Sequence, residues 1–448
     1  MRQMHADLHI HSPHSIAVSK NMTLENIIHT CRLKGLDILG TGDITQPDWR
    51  SYLESNLEYK NGVYTYRGMY FIVQTELEDQ ESIHHVILLP TIEAGELLQL
   101  QIMDKAKGVT GQYGGRPHVN VSPPEIVEMV NDVGGVCGPA HAFTPFKAIF
   151  RSNKYASLEE CYGSMTKYVY FLELGLSADT NLADRMACLE TLTFLSNSDA
   201  HSEGPQSLGR EFNRFYIEEP SFDEIVKALR RQQGRKITLN VGLEPRLGKY
   251  PMMFCKTCRI RYKLLTKDEV TPHFQSLPLH KTLFESYIID GDDFVYYIFN
   301  SEEQLQDFRN RVGKKEVQCV KCALENKKSV ISLGVFDRID QIADYSQPKH
   351  PDHRPPYLGI IPLVEMIRVL KRVRSVKAKS VLKTYNELIK KFGTEFSILT
   401  DKTVLTKLRM DGTDYEPLVN LIEAFHEKKI EFIPGGGGKY GEIALEEI

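Results

Sequence analysis

Five stretches far apart in the chain each close a hydrophobic run with side chains that bind metal ions. They are His9 and His11 in ADLHIHS, Asp43 in ILGTGDIT, Glu76 and His85 in FIVQTELEDQESIHHVILLP, His141 in CGPAHAF, and Asp199 and His201 in FLSNSDAHS. Residues two apart on a strand point to the same side, so His9 with His11, and Asp199 with His201, can each send two ligands into one cavity. Any one of these residues alone is compatible with a satisfied polar group at a strand end. The whole set is the pattern of a polynuclear metal site at one mouth of a parallel barrel. A mixed imidazole and carboxylate set suits zinc, manganese or iron better than calcium or magnesium alone. Several metals sharing carboxylates generate hydroxide from water and neutralise charge on a phosphate, which points to phosphoester hydrolysis.

The segments between these stretches agree with that placement. LENIIHTCRLKG carries apolar residues at helical spacing and stops at Gly35. Ser122 can cap a second helix that Pro123 starts, with Glu125 completing a capping box and Gly134 and Gly135 closing it. Strands are expected at DILGTGD, MYFIVQTE, HHVILLP, GVCGPAH, YVYFLELG and TFLSNSD. Apolar strands alternating with amphipathic helices are the signature of an α/β fold with a parallel sheet, and barrel enzymes put their chemistry at the C-terminal ends of such strands.

At 448 residues the chain is too long for one core. Loss of periodicity at GLEPRLGKYPMMF sets one boundary near residue 245, and the prolines of DYSQPKHPDHRPPY set another near 345. The expected domains are 1–245, 246–345 and 346–448. No signal peptide and no apolar stretch long enough to span a bilayer are evident, so a cytoplasmic protein with no membrane partner is expected, acting as a monomer.

Four of the eight cysteines, Cys31, Cys137, Cys161 and Cys188, are scattered among apolar residues and read as core or idle thiols. Cys255 with Cys258, and Cys319 with Cys322, form two CxxC knuckles, which without a secretory signal read as a structural zinc site. Each knuckle is expected to lead into a ribbon hairpin. Residues 259–318 would then be an insertion with its own small structure, aromatic at FVYYIF and helical at SEEQLQDFRNRVG.

The last region carries three helical patterns, IPLVEMIRVLKRV, SVLKTYNELIKKFG and PLVNLIEAFHEKK. A formal net charge of −4 conceals a basic run from Arg368 to Lys391 that includes Arg372, Arg374 and Lys377 against the lone acid Glu387. Such a run can bind phosphate backbones or be a solvated helix face. The tract Gly435 to Gly438 before Lys439 lacks the Ser or Thr of a nucleotide-binding loop. Its successive amides, at Gly436 and Gly437 above all, can hold a backbone phosphate, or the tract can be a flexible connector.

Taken in order, HIHS, TGD, the Glu followed by His and apolar residues, PAH and SDAH resemble the polymerase and histidinol phosphatase (PHP) superfamily of metal-dependent phosphoesterases. The resemblance implies a distorted (β/α)7 barrel with two or three divalent ions, zinc, manganese or magnesium, at its mouth. It makes His9, His11, Asp43, Glu76, His85, His141, Asp199 and His201 the ligands, with Glu76 bridging and Asp199, Glu76 and His201 carrying catalysis. Two departures stand out. No acid follows the first two histidines in SPHSIAVSKN, and Asp43-Ile44 replaces a common Asp-His pair, which leaves one metal position with fewer protein ligands.

Across the whole chain the domain order, GVFDRI and PGGGGKYG are similar to the endonuclease Q family. That likeness implies a DNA repair nuclease cutting 5′ of uracil, hypoxanthine, xanthine and abasic sites, leaving 3′-hydroxyl and 5′-phosphate ends. Its partner would be double- or single-stranded DNA with damaged bases, and a sliding clamp is a further candidate. Inspecting one base requires turning it out of the stack into a pocket. Ser12, His14, Ser19 and Lys20 after the first ligands, and Phe143 and Phe146 with Lys147 after His141, are the candidate pocket, wedge and backbone contacts. Two rivals are a small-molecule phosphatase, which would need only the barrel, and a DNA-binding module whose metal site is not catalytic.

Overall fold

The computed structural model of the chain describes residues 1–106, 108–112, 114–270, 277–281 and 286–444. Parts of the expected insertion, at 271–276 and 282–285, lie outside the described residues. Strand β1 (Arg2–Asp7) pairs in parallel with β2 (Ile38–Gly40), and β2 with β5 (Met69–Glu78), while a hairpin of β3 (Glu58–Lys60) and β4 (Val63–Tyr66) borders β5. β5 continues antiparallel into β6 (His84–Leu89) and β7 (Val136–Pro139), and β8 (Phe171–Glu173) pairs in parallel with β9 (Thr193–Leu195). Hydrogen bonds beyond the ladders join the ends: the Ala142 amide donates to the Glu173 carbonyl at 2.9 Å and the His11 amide to the Ala200 carbonyl at 3.1 Å. The strands thus come round from β1 to β9 and back, and their ends gather at one mouth.

The pairing is mixed, which corrects the expectation of a parallel sheet. β5 and β6 are joined by a tight turn too short for a crossover, so they run antiparallel. The mouth therefore receives Glu76 from near the end of β5 and His84 from the start of β6. On the other side of β1, β10 (Phe212–Ile217) and β11 (Lys236–Leu243) add antiparallel strands. The expected helices form where their caps lie. Leu24–Lys34 is capped by Thr23, whose hydroxyl accepts from the Asn26 amide, and Pro123–Asp132 carries the Ser122 and Glu125 capping box.

The middle region has its own core. Its sheet runs β14 (Leu279–Lys281), β15 (Ser286–Asp290), β16 (Phe294–Phe299), β13 (Arg261–Thr266), β12 (Met253–Cys255), β17 (Ile331–Ser332), and the helix Glu302–Gly313 packs Leu305 and Phe308 onto Tyr297 and Phe299. The described residues between the inner knuckle cysteines are thus a folded layer, and β12 and β17 bring the knuckles together. The first knuckle does turn a hairpin, β12 to β13, but the second opens the short helix Val320–Leu324 with Cys319 as its cap, in place of the expected ribbon.

The last region is fused to the first. β18 (Tyr357–Ile360) pairs in parallel with β11, and the helices Leu363–Leu370, Lys379–Phe392, Glu395–Thr400, Lys402–Met410 and Glu416–His426 share one hydrophobic cluster with Ile27, Ile28 and Leu39 of the first region. The two helices between 395 and 410 escape the sequence patterns. The proline-rich segment before β18 is tied down: Arg354 holds Asp184 in a buried ion pair, with Nε 3.0 Å from both carboxylate oxygens. No helix among the described residues is long and apolar enough to cross a membrane.

A second buried ion pair fastens these regions. Lys34 Nζ lies 2.9 Å from Glu395 Oε1, both side chains 2% exposed, and the other oxygen accepts from the Tyr385 hydroxyl at 2.8 Å. Removing one partner leaves an uncompensated buried charge, which typically costs about 3–5 kcal/mol. Glu395→Ala is therefore expected to lower the thermal midpoint sharply, whereas Lys34→Met with Glu395→Leu should recover most of the loss; a calorimetric scan of the three proteins checks this.

Candidate metal centre

Two groups of donors lie at the mouth. His9, His11 and Asp199 form one, and Glu76, His84 and His141 the other, each with its donor atoms within 4.8 Å of one another. Glu76 joins them: Oε1 is 2.9 Å from His84 Nδ1, 3.4 Å from His141 Nε2 and 3.7 Å from His9 Nε2, and Oε2 is 3.5 Å from His11 Nε2. His11 Nε2 in turn lies 3.1 Å from Asp199 Oδ1. His9 Nε2 and Glu76 Oε1 are buried without a hydrogen bond. Buried carboxylate oxygens and ring nitrogens that converge in this way fit a cation.

The electrostatics say the same. Burial alone would raise the Glu76 carboxyl, but the imidazoles of His84, His141 and His9 outweigh it and hold it well below the ordinary range. Burial works against charge on His9 too, yet Glu173, then Glu76 and Asp199, push it up to about 10, and Asp43, Asp199 and Glu76 push His11 up to about 9. Such an excess of buried negative charge favours divalent ions over protons on the imidazoles.

The histidine of β6 is His84, not the expected His85. Glu78 faces His84 and Leu77 faces His85 across the ladder, and alternation puts Glu76, Glu78 and His84 on one face. His85 points away, with Nε2 2.8 Å from Asp79 Oδ2 and Nδ1 accepting from the Tyr162 hydroxyl at 3.1 Å. Asp43 stands behind His11 rather than beside a metal position: Oδ1 meets His11 Nδ1 at 3.0 Å, and Oδ2 accepts from the Ser12 amide and hydroxyl at 2.7 and 2.6 Å. His201 turns Nδ1 to the Asp199 carbonyl at 2.9 Å and stands at the rim, 31% exposed.

Three residues that sequence reasoning passed over complete the site. Glu173 accepts from Asn197 and the His141 amide and fixes His9 Nδ1 at 2.8 Å, the carboxylate support that ligand histidines commonly have. An acid inside the apolar run FLELG was the available signal. Asp7 receives the Ser198 amide at 3.0 Å and the Gly209 amide at 3.2 Å, holding the Asp199 turn. Arg116 sits with Nη1 3.4 Å from Glu76 Oε2, delivered by a loop whose Gly115 approaches so closely that a Cβ there would lie 2.6 Å from Asp43 Oδ2. The backbone is strained here as well: Asp43, His141 and Asp199 have φ of 41°, 30° and 47°, a left-handed conformation that non-glycine residues adopt at a cost.

The other expected contacts divide. Ser12 is buried on Asp43, and His14, Ser19 and Lys20 line the loop beside the rim. Phe143 is 2% exposed and stacks on Phe150 in the core, so it cannot wedge DNA; Phe146 is 37% exposed, edge-on to Tyr250. Lys147 is paired with Glu78. Arg372, Arg374 and Lys377 lie past the end of the helix Leu363–Leu370 in an exposed loop, and the Lys377 charge reaches Glu203 near Ser19 and Asn21. The glycine tract is not a free connector. The amides of Gly435, Gly436, Gly438 and Gly441 donate to the carbonyls of Arg246, Lys439, Lys249 and Leu247, which spends the amide expected of Gly436. Gly437, at φ 63°, packs against Arg259, and Lys439 is exposed, 3.6 Å from Asp293. Tyr440 accepts from Arg210 at 2.6 Å, and Arg210 holds the Ser198 carbonyl beside Asp199.

In the middle region the four thiols also converge, with Cys255 Sγ 3.7 Å from Cys322 Sγ and Cys258 Sγ 3.6 Å from Cys319 Sγ. Those separations exclude disulfides. Amides of Thr257 and Cys258 donate to Cys255 Sγ, and that of Cys322 to Cys319 Sγ, leaving a four-thiol set fit for a metal ion.

The family described as the MJ0043 C-terminal domain matches residues 362–429, the helical region. The lesion-specific endonuclease PfuEndoQ of Pyrococcus furiosus is 34% identical, with a TM-score of 0.79 over 100% of this chain and 96% of its own. A structure of endonuclease Q with a 27-mer duplex carrying an abasic lesion is also 34% identical, with a TM-score of 0.82 over 100% and 97%. The chain belongs to the endonuclease Q family. Uncharacterised relatives include YqxK of Bacillus subtilis, 28% identical over 99% of this chain and 100% of its own. MJ0043 of Methanocaldococcus jannaschii is 34% identical over 69% of this chain, which spans only 32% of that protein. The endonuclease Q structures share this mixed α/β arrangement throughout, and both are structures of endonucleases.

The strand register yields a discriminating pair of variants for this endonuclease Q family member. His84→Ala is expected to weaken manganese or zinc binding by at least about tenfold while folding normally. His85→Ala should keep metal affinity but lower the melting temperature, since Asp79 and Tyr162 lose a buried partner. Metal titration and thermal melts of both proteins decide which histidine serves the centre.

Proposed function

We propose that this protein is a repair endonuclease that hydrolyses the phosphodiester 5′ of abasic sites and of deaminated bases, uracil, hypoxanthine and xanthine among them, leaving 3′-hydroxyl and 5′-phosphate ends. The observation that carries the reading is the pair of donor groups joined by Glu76 in a chain that follows lesion-cutting endonuclease Q along its whole length. On this reading the ring of strands is a distorted PHP barrel and the four cysteines hold a structural zinc.

His9, His11 and Asp199 would hold one ion and Glu76, His84 and His141 another. When bound, such ions lend Lewis-acid charge and make water a nucleophile near neutral pH. The chain's own part is arrangement. Glu173 and Asp43 fix the rings of His9 and His11, so the donors need no reorganisation when substrate arrives. Arg116 brings a guanidinium to the same mouth, where it can hold a non-bridging oxygen of the phosphate being cut. His201 stands at the rim in reach of the sugar-phosphate chain. The loop with His14, Ser19 and Lys20 faces that mouth, where a base turned out of the stack would be read. Turning out costs least at a mismatch or abasic site, which helps those sites select themselves.

Duplexes that each carry one lesion, incubated with manganese or magnesium, test the activity, and intact abasic and uracil strands at the end would refute it. Asp199→Asn should cut at least about a hundredfold more slowly, because an amide is a poor anionic ligand and a lost ligand costs several kcal/mol of the barrier, while its affinity for the lesion duplex stays near wild type. Neutralising Arg372, Arg374 and Lys377 together should weaken binding to damaged and undamaged duplexes alike. The salt slope should flatten by up to about 2.7, at roughly 0.9 per phosphate contact, with lesion preference kept.

A further inference from the structure

Three asparagines cross the interior of the ring of strands and end on the carboxylate behind His9. Asn240 of β11 and Asn213 of β10 stand directly opposite each other in the ladder, and Asn197 lies just past β9. All three are at most 1% exposed. Asn240 Nδ2 donates to Asn213 Oδ1 at 2.8 Å, Asn213 Nδ2 donates to Asn197 Oδ1 at 3.1 Å, and Asn197 Nδ2 donates to Glu173 Oε2 at 3.0 Å. That same oxygen meets His9 Nδ1 at 2.8 Å.

The row runs one way, and the backbone dictates its direction. An amide oxygen only accepts and an amide nitrogen only donates, so a fixed backbone group beside each side chain decides which end is which. The Phe194 carbonyl accepts from Asn240 Nδ2 at 2.9 Å. The Ser196 amide donates to Asn213 Oδ1 and the Ser196 carbonyl accepts from Asn213 Nδ2, both at 2.8 Å. The Leu8 amide donates to Asn197 Oδ1 at 3.0 Å. No side chain in the row can turn over without setting donor against donor or acceptor against acceptor.

Each end of the row has a consequence. At the far end Asn240 Oδ1 is buried with no hydrogen-bond partner, which costs stability that packing alone does not explain. At the near end Glu173 Oε1 accepts from the His141 amide at 3.0 Å and Oε2 from Asn197, so both oxygens act as acceptors and His9 Nδ1 must carry the hydrogen it shares with them. His9 Nε2, itself without a hydrogen-bond partner, then faces Glu76 Oε1 at 3.7 Å and Asp199 Oδ1 at 3.8 Å.

We propose that Asn197, Asn213 and Asn240 are positioning residues that fix the hydrogen of His9 on Nδ1 from across the ring of strands, by delivering a one-way row of amide dipoles to Glu173. Aligned hydrogen bonds polarise one another, so the row strengthens the hold on Nδ1 beyond what Glu173 supplies alone. This role rests on His9, His11 and Asp199 being donors to one ion, and it is independent of which substrate is cut.

The test compares wild type, Asn213→Leu, Asn240→Leu and a control, Gln99→Leu, which removes a buried amide outside the row that accepts from Arg50 at 2.6 Å. Two readouts accompany the melting temperature. One is exchange of the His9 Nδ1 proton with water, by NMR of metal-free protein labelled with 15N-histidine. The other is affinity for manganese, an ion that a four-thiol site does not select, by the EPR signal of the free ion. In Asn213→Leu the proton should exchange at least about fivefold faster and manganese should bind at least about fivefold more weakly, roughly what one net hydrogen bond contributes. Asn240→Leu, which leaves Asn213 its Ser196 partners, should move both readouts the same way by less, and Gln99→Leu should move neither. In a Glu173→Gln background the row variants should leave manganese affinity where Glu173→Gln alone puts it, because their route to the ligand is gone. Unchanged readouts in Asn213→Leu, an equal change in the control, or an equal loss of affinity with and without Glu173→Gln overturns the row as a positioning device. If Asn213→Leu does not fold, Asn240→Leu must show both the change and its dependence on Glu173. Should wild type bind no manganese while the Nδ1 proton responds as expected, the row stands and the assignment of an ion to this donor group falls.

Discussion

Glu76 is the residue about which the rest of this structure is organised. A carboxylate fully removed from water, approached by four imidazoles and a guanidinium, is tolerable only if cations share the space. Everything nearby serves that requirement. Glu173 and Asp43 hold rings from behind, Asp7 secures the Asp199 turn, and three residues accept left-handed backbone to place or support ligands. The hydrophobic core sets where the strands go, but the polar network sets how precisely their ends meet.

That division explains what could be read from the sequence. Strand-end histidines and acids announce themselves because they interrupt apolar runs, and the helices Leu24–Lys34 and Pro123–Asp132 appear where Gly35, Ser122 and Glu125 place them. The four cysteines were legible from spacing, although not the folded layer between them. The choice between His84 and His85 was not legible. β6 is buried on both faces, so hydrophobic alternation says nothing about register, and the turn geometry decides it. Asp43 looked like a ligand because type and position agree, and only its hydrogen bonds to Ser12 and His11 show that it stands one layer back. Arg116 lies in a glycine-rich loop with no periodicity to mark it. The glycine tract near the chain end misled for the opposite reason, since its composition suggests loose backbone while its amides are bound to Arg246, Leu247 and Lys249.

The regions are also less separate than their composition suggests. β18 completes the first sheet, the helices from Leu363 onward share its core, and the glycine tract ties residues 246–249 to the middle region through the Met252 and Gly436 bridge. Arg338, on a helix that follows the second knuckle, donates to the carbonyls of Phe150 and Tyr155 in the first region. The regions around the mouth are therefore joined by a shared sheet, a shared core and side-chain hydrogen bonds.

The adjacent histidines of β6 make the strand register part of the site itself. His85 and Asp79 lock the turn that fixes which imidazole faces the mouth, through the 2.8 Å contact between them and the Ile83 amide bound to the same carboxylate. A strand shifted by one residue would present His85 in place of His84, because a one-residue slip turns every side chain to the opposite face. The closed turn thus selects His84 over its neighbour, and a side chain outside both donor groups decides which imidazole joins them.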